Sequence, residues 1–384
     1  MGTAIVIGGG IGGLTAAVAL RRAGWRVEVY ERAAAIDTVG SGVSIAPNAV
    51  KALDYLGLRG SFDTVAGRLD GMEIRLRSGR RISHARGAMI ESRYGAPLTA
   101  MHRADLHRVL TDALGDTPLR TGHTVTGVEP DGTATFDGPR GPVTVTADLI
   151  VAADGVHSTA RRRLFPTYPG PEYAGYPVWR GIVPADRARG IDFGDRLSES
   201  WGRARRFGVV PFADGRVYWY ASETLPAGAR LPSGAADVLA RFAGWHDPIP
   251  QLIAATPDEA ILRHDVHYLR QPLPSFVRGR VALLGDASHA VTPDIGQGAC
   301  LAIEDAVHLT EVLGKGVDEG LHAYDEARRP RTTLLATRSG RIGRIIQTRS
   351  GTAAFLRDLT ADLTPATISM RTIGSIYEWN PPVG

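Results

Sequence analysis

The stretch that most constrains this chain is residues 3–31. A short β-branched strand, Thr3 to Ile7, runs directly into Gly8-Gly9-Gly10-Ile11-Gly12-Gly13. An apolar helix follows through Leu14, Ala17, Val18 and Leu20, Gly24 closes it, and a second strand from Arg26 to Tyr30 ends at Glu31. This is G-x-G-x-x-G between a strand and a helix, with an acid about 20 residues on, the arrangement that binds a dinucleotide. Gly8 permits the tight turn, Gly10 lets a pyrophosphate approach the backbone, and Gly13 lets the helix pack on the sheet. Glu31 is expected to accept hydrogen bonds from an adenosine ribose, with Arg32 beside it. The fingerprint alone does not separate NAD from FAD.

A second stretch of the same grammar lies far along the chain. Val281 to Leu284 reads as a buried strand and runs into Gly285-Asp286. Pro293 and Gly296-Gln297-Gly298 follow, then a helix with Ala299, Ile303, Ala306, Val307 and Leu313 at helical spacing. An acid at a strand end suits a polyol hydroxyl, and the free N–H groups of a helix start favour negative charge. A reduced flavin offers both, an anionic pyrimidine edge and a row of ribityl hydroxyls. A third strand-end acid, Asp154-Gly155, follows residues 143–153, which read as a pair of strands.

Between these markers the texture varies. Residues 72–84 alternate as a hairpin turning at Ser78-Gly79, and Met101 to Leu114, with Arg103, reads as a helix. From about residue 173 to 275 short strands prevail: Val178 to Val183, Phe207 to Pro211, Val217 to Ala221 and Ile261 to Val266. After residue 314 helices take over, Leu321 to Arg329 being expected to stop at Pro330 and a further helix to run from Arg331 to Gln347. The expected architecture is α/β: a Rossmann-like domain built from residues 1–70, 98–172 and 276–330, interleaved with an antiparallel β-sheet substrate domain (71–97 and 173–275), and a helical C-terminus (331–384).

Composition narrows the class. With 44 basic and 40 acidic residues the net charge is only +4, spread along the chain, which argues against nucleic acid. No apolar run approaches the ~20 residues that span a bilayer, so no membrane partner is expected. The chain enters its first strand without a basic leader, and its single cysteine, Cys300, forms no internal disulfide; both favour a cytoplasmic location. A monomer or homodimer is expected.

The three markers in this order, G-x-G-x-x-G with Glu31, the segment ADGVHSTAR around Asp154, and Gly285-Asp286 with Pro293 and GQG, resemble the class A flavoprotein monooxygenases, the p-hydroxybenzoate hydroxylase-like family. The resemblance covers nearly the whole chain. It implies tightly bound FAD as cofactor, NAD(P)H as a transient co-substrate, and hydroxylation of an electron-rich aromatic or heteroaromatic molecule by O2 through a flavin C4a-hydroperoxide. By position, Gly8, Gly10, Gly13 and Glu31 would hold the ADP half of FAD and Arg103 would lie along it. Asp154 would serve the pyrophosphate and the pyridine nucleotide, Asp286 the ribityl chain. Gly296, Gln297 and Gly298 would meet the pyrimidine edge, and Pro293 the reactive face. No second dinucleotide fingerprint is present, which accords with a nucleotide that docks and leaves.

The frame RRFGVVP…GRVYWY resembles the urate hydroxylase branch, and also hydroxylases of phenols and natural products. Arg206 and Tyr218 sit on adjacent expected strands around Asp214-Gly215. A guanidinium and a phenol on one face suit an anionic or enolic ring. The alternative is that Tyr218 packs the sheet and Arg206 is a surface charge. His289 reads as structural; His264 and His267, three apart on a strand, point to opposite faces and make no metal pair. Trp179-Arg180 is similar to a flavin-halogenase motif but lacks its second tryptophan. Halogenase, non-oxygenating flavin reductase and a nucleotide-fold binding protein stand as alternatives.

Overall fold

In the computed structural model, residues 2–35, 41–229, 234–365, 368 and 374–382 are described. The first strand, Thr3–Ile7, lies inside a six-stranded sheet. It pairs in parallel with Arg26–Tyr30 on one side and Leu149–Ala152 on the other. Val281–Leu283 extends the sheet in parallel beyond Leu149–Ala152, and Leu119–Arg120 extends it beyond Arg26–Tyr30. Only the short edge strand Val277–Arg278 is antiparallel. The central strands are apolar throughout because helices cover both faces. The chain ends at Ile7, Ala152 and Leu283 therefore fall side by side. Their following turns, Gly8–Gly13, Asp154-Gly155 and Gly285-Asp286, converge at the edge where ligands bind in open α/β sheets.

Residues 71–86 and 172–268 supply the strands of a seven-stranded sheet. Its order is Leu262–Tyr268, Glu172–Val183, Val217–Glu223, Arg205–Pro211, Leu197–Trp201, Gly71–Leu76 and Arg81–Arg86. Alternation gives the sheet two characters. Trp179, Phe207, Val209 and Trp219 point to one face and form a separate core with Phe242, Trp245 and Ile249. Arg180, Glu199, Arg206, Tyr218 and Tyr220 point to the other face, toward the nucleotide-binding half. Arg216, at the tip of the hairpin that contains Asp214 and Gly215, bonds Asp105 on the helix Arg103–Ala113 and so pins the two halves together.

Several expectations need correcting. The residues read as a strand pair before Asp154 belong to different sheets: Gly141–Thr146 joins Thr124–Val128 and Thr133–Gly138 in a small antiparallel sheet, whereas Leu149–Ala152 is a parallel core strand. Periodicity identifies strands, but pairing is settled by distant partners. Met101 and His102 end a strand, Thr99–His102, and the helix begins only at Arg103. Leu197–Trp201, with three polar residues in a row (Ser198, Glu199 and Ser200), escaped the sequence reading. Pro330 does not stop its helix, which runs unbroken from Val317 to Ile346. Proline is tolerated there because it lies on the exposed side, where water can satisfy the freed carbonyl, and because Arg328 and Arg331 on either side are held by buried acids. The last residues of the expected C-terminal segment, Gly384 among them, lie outside the described residues.

Candidate active site

The glycine turn is shaped by close approach. Gly8 has φ +106°, and a Cβ there would lie 2.3 Å from the Ala153 carbonyl oxygen. One on Gly13 would lie 1.9 Å from the Gly8 oxygen. At Gly10, by contrast, a Cβ would meet nothing within 4 Å. The first two glycines answer to the protein's own packing, and the third leaves backbone bare toward open space. Glu31 secures the turn: its Oε2 accepts from the Gly9 N–H at 2.6 Å and its Oε1 from the Ala33 N–H at 2.8 Å. His107 adds a 2.5 Å contact from Nε2 to the Gly9 oxygen. Arg32 is exposed next to Glu31, and Arg103 is exposed at the start of its helix.

Asp154 caps a helix. Its Oδ2 accepts from the Thr159 and Ala160 N–H groups, at 2.7 and 3.1 Å, and its Oδ1 from the Ser158 hydroxyl at 2.5 Å. Arg161 of that helix Thr159–Leu164 is buried and reaches across, donating to the Ala287 carbonyl at 2.9 Å. This arginine, singled out by nothing in the sequence beyond its place in the segment, ties two of the three strand-end turns to each other.

Asp286 stands at the floor of the cleft, open to solvent on one side and hemmed by protein on the others. That surrounding raises its carboxyl pKa, while His289, Arg103 and Arg161 pull the other way. Its turn is fixed from beneath. Asp305 Oδ2 accepts from the Gly285 N–H at 3.1 Å and lies 2.5 Å from His289 Nε2, while its Oδ1 takes the Arg328 Nε at 2.7 Å. Burial would raise the Asp305 carboxyl, but His289 and Arg328 hold it well below the usual carboxylate range. Glu304 pairs with Arg328 and Arg331, and also accepts from Asn48 Nδ2 at 2.6 Å. His289 is thus structural, as its place in the turn suggests. A glutamate and an aspartate side by side in an otherwise apolar helix were the available sequence signal for this network, since buried charges need partners.

Pro293 is exposed and opens a short 3₁₀ turn ending at Gly296, which has φ +63°. The helix Gly298–Val312 starts at once, so its first N–H groups face the same cleft. Neither Gly10 nor Gly296 has anything within 4 Å of a notional Cβ, and at Gly298 the nearest atom lies 3.9 Å away. Beside them Gln297 Nε2 and Asn48 Oδ1 are buried without a protein hydrogen-bond partner. Bare backbone, an exposed acid at a strand end, a helix N-terminus and unpartnered amide atoms gathered at one edge of the sheet fit FAD along its length.

The face opposite carries the second polar group. Arg206 is fully buried rather than a surface charge. Its Nη2 lies 2.8 Å from Asp294 Oδ1, its Nη1 3.6 Å from Glu199 Oε2, and its Nε 3.2 Å from Ser222 Oγ. Burial alone would lower the Arg206 pKa, but Asp294 and Glu199 more than offset it and keep the guanidinium charged. Tyr176 donates to Asp294 at 2.7 Å and Tyr220 to Glu199 at 2.6 Å. Tyr218 shares the face with Arg206, but their positions are offset: Arg206 pairs with Ser222 and Val210 with Tyr218. The Tyr218 ring packs on Gly42, where a Cβ would come within 2.3 Å of it. Burial raises the phenol pKa, and the nearby charges of Arg180 and Arg206 oppose that rise. Arg180 also lies 3.5 Å from His264 Nδ1. His267 points elsewhere, to the rings of His157 and Tyr173. Glu199, Asp294, Tyr176 and Tyr220 were not singled out from sequence, and Arg180 only as part of the Trp179-Arg180 motif, because the contacts that give them meaning join segments far apart in the chain.

A doubly bound cleft of this kind defines a flavin-dinucleotide protein. Residues 2–339 match the FAD_binding_3 model, described as an FAD binding domain, and the chain belongs to that family. It is 40% identical to the aurachin C monooxygenase/isomerase of Stigmatella aurantiaca, over 93% of this chain and 92% of that one. It is 38% identical to an FAD-dependent urate hydroxylase of Klebsiella pneumoniae, with 85% of each chain covered. Klebsiella pneumoniae HpxO, solved with FAD and uric acid, superposes with a TM-score of 0.89 at 33% identity, over 100% of this chain and 98% of that one. The chain is an FAD-dependent monooxygenase, and the expected α/β flavoprotein fold and FAD cofactor hold.

Proposed function

We propose that this enzyme uses NAD(P)H and O2 to hydroxylate a small, electron-rich aromatic or heteroaromatic ring that carries an acidic ring N–H or O–H. Bound FAD supplies electron storage and oxygen activation. The chain's own residues bind and orient. Gly8, Gly10, Gly13 and Glu31 take the ADP half, with Arg32, Arg103 and Asp154 along it. Asp286 takes the ribityl hydroxyls, and Gly296, Gln297 and Gly298 offer N–H dipoles to the charge on the pyrimidine edge.

The observation that supports the substrate assignment is that Arg180 and Tyr218 share one face of the sheet, where the Arg180 charge acts on the buried phenol. The phenol of Tyr218 is a donor for an acceptor atom on the ring. The fixed positive charge behind it favours the deprotonated, electron-rich form of that ring. Arg206 acts one step back: bound to Asp294, it holds the Pro293 loop at a set distance from the sheet. The relatives named above act, by their names, on urate and on aurachin C, both compatible with such a site.

The test is a panel of urate, hydroxybenzoates and polycyclic phenols, scored by stimulated NADPH consumption and by product. One ring is expected to give product matching the NADPH consumed. If every ring gives hydrogen peroxide alone, the substrate assignment fails.

A further inference from the structure

The helix Gly351–Leu363 is amphipathic in the wrong sense for a helix of a free-standing monomer. Its inward side is Ala354, Arg357 and Asp358, and its outward side carries Phe355 at 65% exposure, Leu356 at 54%, Leu359 at 41% and Leu363 at 71%. These four fall at helical spacing on one face. The helix is fastened to the body by the Arg80–Asp362 pair and, from its buried side, by Arg357. It donates to the Ile346 carbonyl at 2.8 Å and the Gly202 carbonyl at 3.2 Å, and lies over the Trp201 ring at 5.2 Å. Among the described residues this apolar face is left largely uncovered, and a contiguous exposed apolar face marks a contact site.

Charge identifies the occupant. The apolar face borders a groove formed with the end of the long helix, lined by Arg341, Arg344, Ile345, Ala353 and Leu356. Arg341, Arg344, Arg349 and Arg203 are exposed and, among the described residues, have no acidic partner. Both acids of the short helix are already neutralised, Asp358 by Arg357 at 2.6 Å and Asp362 by Arg80 at 2.8 Å. The surface is therefore apolar with an uncompensated arginine margin. A second copy of this chain would bring like charge to like. The helix is also small for a dimer: at 1.5 Å per residue its face is roughly 20 Å by 10 Å, or about 200 Å², against the ~800 Å² each partner contributes to a standard interface.

We propose that this face docks peripherally on an anionic lipid surface, with Phe355, Leu356, Leu359 and Leu363 dipping into the headgroup–acyl boundary and the arginines meeting lipid phosphates. Such docking needs no spanning segment, and no described helix is long and apolar enough to cross a membrane. The sequence-level expectation of no membrane partner rested on spanning length alone, which does not bear on a surface helix.

The test is co-sedimentation of the FAD-loaded enzyme with vesicles of phosphatidylglycerol in phosphatidylethanolamine, beside pure phosphatidylcholine vesicles. Binding is expected on the anionic vesicles, reduced severalfold by 0.5 M salt. It should also fall at least fivefold in Leu359→Ser/Leu363→Ser and in Arg341→Glu/Arg344→Glu, both of which should keep wild-type flavin content and solution turnover. Three outcomes overturn the proposal: no binding to either vesicle, equal binding to both, or a concentration-dependent dimer in gel filtration that the leucine variant abolishes without vesicle binding.

Discussion

Arg206 of the sheet and Asp294 of the Pro293 loop meet 2.8 Å apart, with both side chains sealed from solvent. Removing either leaves the other as an uncompensated buried charge, which costs about 3–5 kcal/mol. Arg206→Met and Asp294→Leu should each destabilise by about that amount in urea unfolding. The double variant should be less destabilised than the sum of the two. Strict additivity would mean that the pair does not hold the loop.

Gly10 and Gly13 separate the cradle from the packing. Gly13→Ala puts a methyl 1.9 Å from a backbone oxygen and should unfold the turn, seen as a large drop in Tm. At Gly10 an added Cβ meets no protein atom within 4 Å, so Gly10→Val should fold with little change in circular dichroism, yet emerge with less than a tenth of the wild-type flavin absorbance. A fully yellow Gly10→Val protein would remove Gly10 from the cofactor site.

Asp286 has a single task in this account, accepting hydrogen bonds from cofactor hydroxyls. Asp286→Ala should be purified largely without flavin, and Asp286→Asn, which keeps an acceptor oxygen, should retain part of it. The check is the ratio of flavin to protein absorbance after gel filtration.

In the proposed substrate site Tyr218 and Arg180 share one face of the sheet and are expected to act as a unit. A hydrogen bond to a charged partner contributes about 1.5–3 kcal/mol, so Tyr218→Phe should raise KM roughly 10- to 100-fold with flavin content unchanged. Arg180→Met should do the same, and the double variant should be no worse than either single change. Independent, multiplying effects would separate the two residues.

His308 gives a pH signature. Burial, together with Arg328, lowers its pKa from the ordinary 6.5 to about 4 despite the attraction of Asp305 and Glu304. Between those values the unfolded chain binds a proton that the folded one refuses. Stability must therefore fall as pH drops from about 6.5 toward 4, by at most about 1.4 kcal/mol per pH unit. His308→Gln should flatten the decline in Tm over this range.

The sequence made the cofactor cleft legible because its chemistry is local. Gly8, Gly10 and Gly13 follow a strand directly, and Gly285-Asp286 announces itself within a few residues. The far side was less so. Arg206 and Tyr218 could be placed on one face by counting around Asp214-Gly215, but the acid that buries Arg206 lies in the Pro293 loop, and Arg180 comes from a third strand. Gly343 is a signal that went unread: a Cβ there would sit 2.3 Å from an Asp294 carboxylate oxygen, so a glycine is what lets the loop carboxylate close against the long helix. Pro330 misled because a local rule was outweighed by Arg328 and Arg331, whose partners Glu304 and Asp305 belong to another helix.

The most direct measurement is the source of the new oxygen. With NADPH, the accepted ring and ¹⁸O₂, the account predicts one labelled oxygen atom in each product molecule and none when the label is supplied as H₂¹⁸O. Product formed without oxygen, or labelled from water, would contradict it.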